Sequence, residues 1–204
     1  MSKKLVIVFE GIEGSGKSLH SNYLSKYLKR KKIDHISLRE PGGSKNSEKI
    51  RRLILNNNST FSKKTDLLLY FAARNEKIEK IIRKNYKKKV ILIDRFKDST
   101  IAYQHFGMNI NKNLIMNLNN IVLKNIKPDF TFLNIVSMKN LKVRINKRNK
   151  NRYDRFNQKF YNKVQKGFIK LSQNKKKYMI INSNNNILEK KLKIIKKIDS
   201  LIKI

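Results

Sequence analysis

The 204-residue chain has no cysteine and no tryptophan, two prolines, three alanines, and 14 acidic side chains against 49 lysines and arginines. Without cysteine there is neither a disulfide framework nor a thiolate metal site. No apolar run approaches the ~20 residues of a membrane helix, and the first, Leu5 to Phe9, is too short for the apolar region of a secretory signal. A cytoplasmic protein with no membrane partner is the expectation. No linker or internal repeat interrupts the sequence, and its length suits a single domain, 1–204, able to bury a proper core.

The shortage of acid leaves a formal charge of +35, which in isolation would point to nucleic acid. Its distribution argues otherwise. Lysine is spread along almost the whole chain, with short runs at 29–32, 87–89 and 175–177, and no basic block or tail. Asparagine and isoleucine are abundant too, whereas alanine occurs only at Ala72, Ala73 and Ala102. That is the imprint of AT-rich codons on solvated surfaces. A nucleic-acid-dependent ATPase would want a localised basic groove with interleaved aromatics, so no specific nucleic-acid partner is expected.

What is present is organised around residues 4–20. The apolar run Leu5 to Phe9 has the character of a strand buried on both faces. It leads into Gly11, Ile12, Glu13, Gly14, Ser15, Gly16, Lys17 and Ser18, which fit G-x-x-x-x-G-K-[ST], and then into an amphipathic helical pattern. The glycines allow positive-φ turns that bring successive N–H groups toward an anion, and the following helix aims its N-terminus at the same point. Lys17 supplies a cation for the β- and γ-phosphates of ATP, and the Ser18 hydroxyl suits Mg2+.

Strand and helix patterns then alternate. Strands are expected at 36–39, 90–93, 130–135 and 178–182, with helices at about 17–31, 46–56, 65–86, 98–104, 111–124, 156–173 and 188–204. The fold class is therefore α/β: a doubly wound, five-stranded, mostly parallel sheet flanked by helices. Arg39-Glu40-Pro41-Gly42-Gly43-Ser44 is a turn signature. Asp94, at the end of a buried strand, stands where phosphate-loop enzymes place a magnesium-side acid. The polar stretch 147–156 reads as a lid. Arg144, Arg148, Arg152 and Arg155, retained where lysine is so common, offer planar guanidinium forks to a transferring phosphoryl.

Four segments together resemble bacterial-type thymidylate kinases over essentially the whole length: F-E-G-I-E-G-S-G-K-S at 9–18, R-E-P-G-G-S at 39–44, Y-F-A-A-R at 70–74 and D-R-F-K-D-S-T-I-A-Y-Q at 94–104. A looser fifth match runs from Arg144 through Asp154-Arg155-Phe156. The resemblance implies the nucleoside-monophosphate-kinase form of the phosphate-loop fold, transfer of the ATP γ-phosphoryl to dTMP, Mg2+ as cofactor and a homodimer. Another nucleoside or nucleotide kinase of the same fold is the alternative.

Carried over residue by residue, the resemblance makes Glu13 the contact to the sugar 3′-hydroxyl. Arg39 and Arg95 become the holders of the acceptor phosphate. Phe71 would stack on thymine, Arg74 bond its O4 edge, and Ser99 and Gln104 help hold the base. Tyr103 would crowd the 2′ position, and Asp94 would sit by magnesium. The phosphate loop has no arginine, so the catalytic arginine comes from the lid, with Arg148 and Arg152 the candidates. Three positions depart from the pattern: Phe96 stands where Tyr is usual, His105 where Gly is common, and Asn157 where Glu often follows.

Overall fold

The computed structural model describes residues 4–147, 150–184 and 186–202. The strands are β1 (Val6–Glu10), β2 (His35–Arg39), β3 (Val90–Asp94), β4 (Phe130–Ile135) and β5 (Tyr178–Asn182), in one sheet ordered β2-β3-β1-β4-β5. Every pairing is parallel. The central strand is buried at all five positions, whereas edge strand β2 is half-exposed. This is why β1 reads as an unbroken apolar run.

Alternate residues of β1 serve two cores. Val6 and Val8 pack with Ile91, Ile93, Leu67, Phe71 and Ile78 on one face. Leu5, Ile7 and Phe9 pack with Leu24, Leu28, Phe132, Ile194 and Ile198 on the other. Each such side chain contributes roughly 1.5–3 kcal/mol by leaving water.

The helices are α1 (Lys17–Arg30), α2 (Lys45–Leu55), α3 (Lys63–Lys77), α4 (Arg83–Asn85), α5 (Lys97–Thr100), α6 (Lys112–Leu123), α7 (Met138–Asn146), α8 (Gln158–Leu171) and α9 (Ile187–Ile202). Two of them are extended by π-helical turns: Ile78–Ile82 joins α3 to α4, and Ile101–Gly107 prolongs α5. The single helix expected over 65–86 therefore changes its hydrogen-bond pitch midway. It also starts earlier, because the Ser62 hydroxyl accepts the Thr65 N–H and caps it. In the same way Asn157 caps α8 by accepting the Phe160 N–H at 2.9 Å. Its departure from the family pattern is thus a helix start, and α8 begins after Phe156.

Parallel pairing gathers the strand ends that matter. Phe9 lies beside Asp94 and Phe132, and Arg39 beside Asp94. Loops after β1, β2 and β3 therefore open on one edge of the sheet. A third cluster, with Ile12, Tyr103, Tyr153, Tyr161 and Phe168, carries that edge's floor.

Candidate active site

Along this edge runs a cleft of about 540 Å³. At one end the phosphate loop is shaped by sterics. A Cβ on Gly11 would lie 2.1 Å from the Asn134 carbonyl oxygen, so no other residue fits. Gly16 has φ +88° where the chain turns into α1. The Lys17 ammonium donates to the Ile12 carbonyl at 2.7 Å. Burial, with Arg95 nearby, lowers its pKa to about 8, so it is readied for a compensating anion. Ser15 Oγ is buried without a hydrogen-bond partner in the described structure, and a phosphate oxygen would supply one. Arg144 braces the loop by donating to the Gly14 and Ser183 carbonyls, each at 2.8 Å. It serves as a strut between α7, the loop and β5.

Ser18 Oγ donates to Asp94 Oδ2. Among the described residues no group of three or more His, Cys, Asp or Glu side chains could hold a metal by itself. A hydroxyl beside a carboxylate is nevertheless an oxygen-only pair of the kind magnesium uses when phosphates and water complete its shell. The expected pair, Ser18 and Asp94, fits that ion.

Further along, Arg95 occupies a left-handed turn at φ +69°. Its Nη1 donates to the Gly11 carbonyl at 2.9 Å and to Ser99 Oγ at 3.3 Å, and its Nη2 donates to Glu13 Oε1 at 2.7 Å. The Tyr103 hydroxyl donates to the other Glu13 oxygen, and the guanidinium lies 5.1 Å from the Tyr103 ring centre. Burial raises the Glu13 carboxyl, but Arg95 and Lys17 outweigh that and hold it below the usual carboxylate range. Arg39 also lines the cleft, with its Nη2 2.9 Å from Glu48. At the far end Gln104 is 1% exposed, and its Nε2 has no hydrogen-bond partner in the described structure. Lys17, Asp94, Arg95, Ser99, Tyr103 and Gln104 thus border one cavity.

Two expectations change, and a third residue carries a second duty. Phe71 does not line the cleft: it is 3% exposed within the core of Leu67, Ile78 and Phe96. Its neighbour Tyr70 lines the cleft instead. Leu67, Phe71, Ile78 and Ile82, spaced by 4, 7 and 4, form the inward stripe of the helix, and that spacing was the available signal.

Arg74 reaches the wall of the cleft but is committed to protein groups. Its Nε and Nη2 donate to Glu40 Oε2 at 2.9 and 2.7 Å, Nη2 also reaches the Phe96 carbonyl and Thr100, and Nη1 reaches Asn119. Lys77, fully buried, completes the pairing of Glu40 at 2.7 Å. Arg74 is therefore the centre of a buried network that fixes the Arg39–Ser44 turn against α3. It still borders the cleft, where the expected contact to thymine O4 would be made.

Arg152 is the second residue that changes place. It is absent from the cleft lining. It pairs with Asp66 and donates to the Ile54 carbonyl at 3.0 Å, which docks the Arg152–Arg155 3-10 turn onto α2 and α3. The Tyr153 hydroxyl reaches the same Asp66 at 2.9 Å, and its ring lies edge-on to Tyr70 and Tyr103. Tyr153, unforeseen from sequence, therefore walls the cleft. The remaining lid candidate, Arg148, lies outside the described residues.

A family model described as "Thymidylate kinase" matches residues 9–194. A thymidylate kinase of Thermosipho africanus is 39% identical over 184 residues, spanning 90% of this chain and 92% of that protein. One of Acholeplasma laidlawii is 36% identical and spans 98% and 99%. The crystal structure of thymidylate kinase from Ehrlichia chaffeensis superposes with a TM-score of 0.78 at 32% identity, covering 96% of this chain and 98% of that one.

Proposed function

The chain belongs to the thymidylate kinase family, and from that premise we infer how its cleft divides the work of one phosphoryl transfer. It phosphorylates dTMP to dTDP with ATP, Mg2+ assisting. The phosphate loop and the N-terminus of α1 take the ATP phosphates, with Lys17 against the β- and γ-oxygens. Arg95 and Arg39 hold the dTMP phosphate. Two anions are thereby brought together against their repulsion, and the protein's contribution is position and positive charge. Magnesium, held through Ser18 and Asp94, would neutralise charge on the phosphoryl oxygens.

Glu13, fixed by Arg95 and Tyr103, is placed to accept the sugar 3′-hydroxyl, and Tyr103 crowds the 2′ position. Tyr70 takes the stacking role expected of Phe71. Arg148 is the lid arginine of this proposal, within a lid at about 147–156 of a single kinase domain, 1–204. Family membership also supports a homodimer and a cytoplasmic location. No described helix is long and apolar enough to cross a membrane. Nothing favours a nucleic-acid-dependent ATPase or another acceptor.

The observation carrying the acceptor assignment is the buried, unpartnered amide nitrogen of Gln104, in the same cavity as Lys17 and Arg95. A primary amide complements the imide edge of thymine, accepting from N3–H and donating to O4. Cytosine reverses both and would require the buried Gln104 amide to turn over. Calorimetric titration tests this. dTMP should bind at least a hundredfold tighter than dCMP, and Gln104→Leu should remove most of that gap. Equal binding of dCMP would contradict the assignment.

A further inference from the structure

Glu10 closes β1 and is 1% exposed, yet it borders no part of the cleft. Its Oε1 accepts the Phe96 N–H at 2.8 Å and the Ser99 N–H at 3.2 Å, and its Oε2 accepts the Ser99 hydroxyl. These groups flank Arg95, whose left-handed backbone is unfavourable for any residue but glycine and persists only where surroundings impose it. Two residues of β1 impose it. Phe9 receives the Arg95 N–H on its carbonyl at 2.9 Å, and Glu10 receives the next N–H on its side chain.

We propose that Glu10 is a positioning residue of the acceptor clamp: from behind the sheet edge it pins the turn that aims the Arg95 guanidinium, and with it Ser99. This rests on Arg95 holding the acceptor phosphate. The side chain acts by reach and hydrogen-bond acceptance. With Glu10 ionised, the single hydroxyl hydrogen of Ser99 goes to Glu10, so Ser99 Oγ is left to accept from Arg95 Nη1. The guanidinium is then fixed at its root by Phe9 and Glu10 and along its length by Gly11, Ser99 and Glu13. Lys17, the donor-side cation, has its own anchor at Ile12. Loss of the Glu10 pin should therefore be felt by dTMP and not by ATP.

Steady-state kinetics of the full chain separate the two. Glu10→Asp, too short to reach both N–H groups, and Glu10→Ala should raise KM for dTMP at least tenfold while KM for ATP stays within twofold. Glu10→Gln, which keeps an acceptor at full length, should restore the dTMP value to within threefold. Both KM values rising together, neither rising, or Glu10→Gln behaving like Glu10→Ala would overturn the proposal. If the shortened variants do not fold, amide exchange in the unaltered protein decides. Protection of the Phe96 and Ser99 amides should increase with dTMP and not with a non-hydrolysable ATP analogue, and unchanged protection would overturn it. A parent protein without dTMP-dependent turnover would instead remove the reading of Arg95 beneath it.

Discussion

Arg95 Nη2 and Glu13 Oε1 lie 2.7 Å apart, so the proposed clamp for the acceptor phosphate is ion-paired to the phosphate loop. Replacing Arg95 by Ala removes positive charge from the transfer site and leaves the Glu13 carboxylate without its principal counter-charge. Turnover should fall by roughly a hundredfold or more, as when one electrostatic donor is lost from a preorganised site. Lys17→Ala should behave likewise. Circular dichroism should show both variants folded, and near-normal turnover would take the altered residue out of the mechanism.

Arg152 belongs to the architecture. Its side chain is 16% exposed and its partner Asp66 6%, so Arg152→Ala strands a largely buried carboxylate. Loss of about 1–3 kcal/mol in a denaturant titration is expected, with kcat held within about tenfold. A large loss of kcat at unchanged stability would restore Arg152 to catalysis.

Tyr70 and Phe71 are neighbours with opposite surroundings, one in the cleft wall and the other in the core. Tyr70→Ala should raise KM for dTMP, because a stacking surface is lost, with a smaller effect on folding. Phe71→Ala should cost about 3–5 kcal/mol of stability, the usual range for emptying a buried aromatic site, and leave the KM of the folded fraction near that of the parent. The reverse pattern would return the stacking role to Phe71.

The Glu10 carboxyl gives the protein a definite pH response. Burial and the nearby Asp98 raise its pKa from 4.5 to about 7, against hydrogen bonds from Ser99 and Phe96 and the attraction of Arg95. Lys17 and Tyr178 also feel its charge. A carboxyl raised in the folded state binds its proton more tightly there than in the unfolded chain. Its contribution is therefore complete below about 4.5 and is lost as pH rises through about 7. Glu10→Gln, always neutral, should be more stable than the parent at pH 8, and the gap should close toward pH 5. A gap independent of pH would contradict this. Glu40 has the opposite sign: burial raises it, but Arg74 and Lys77 bring it below its ordinary value, so its contribution is lost as pH falls.

Much of this was legible in the sequence. The run from Leu5 to Ser18 specifies strand, loop and helix through local chemistry, and the five apolar runs specify the parallel sheet. Side-chain direction across long separations was not legible. The family motif placed an aromatic before Arg74, but only the inward stripe of Leu67, Ile78 and Ile82 assigns Phe71 to the core. Arg152 looked free because Asp66 is 86 residues away in sequence. Glu10 stood unassigned between strand and phosphate loop, because its partners Phe96 and Ser99 come from beyond β3.

The central claim is tested most directly by a coupled assay of ADP release with ATP and Mg2+, offering dTMP, dUMP, AMP, CMP, UMP and GMP in turn. Turnover should be strongest with dTMP and much weaker with dUMP, which lacks the thymine methyl group. Preference for another acceptor, or release of ADP without any acceptor dependence, would contradict it.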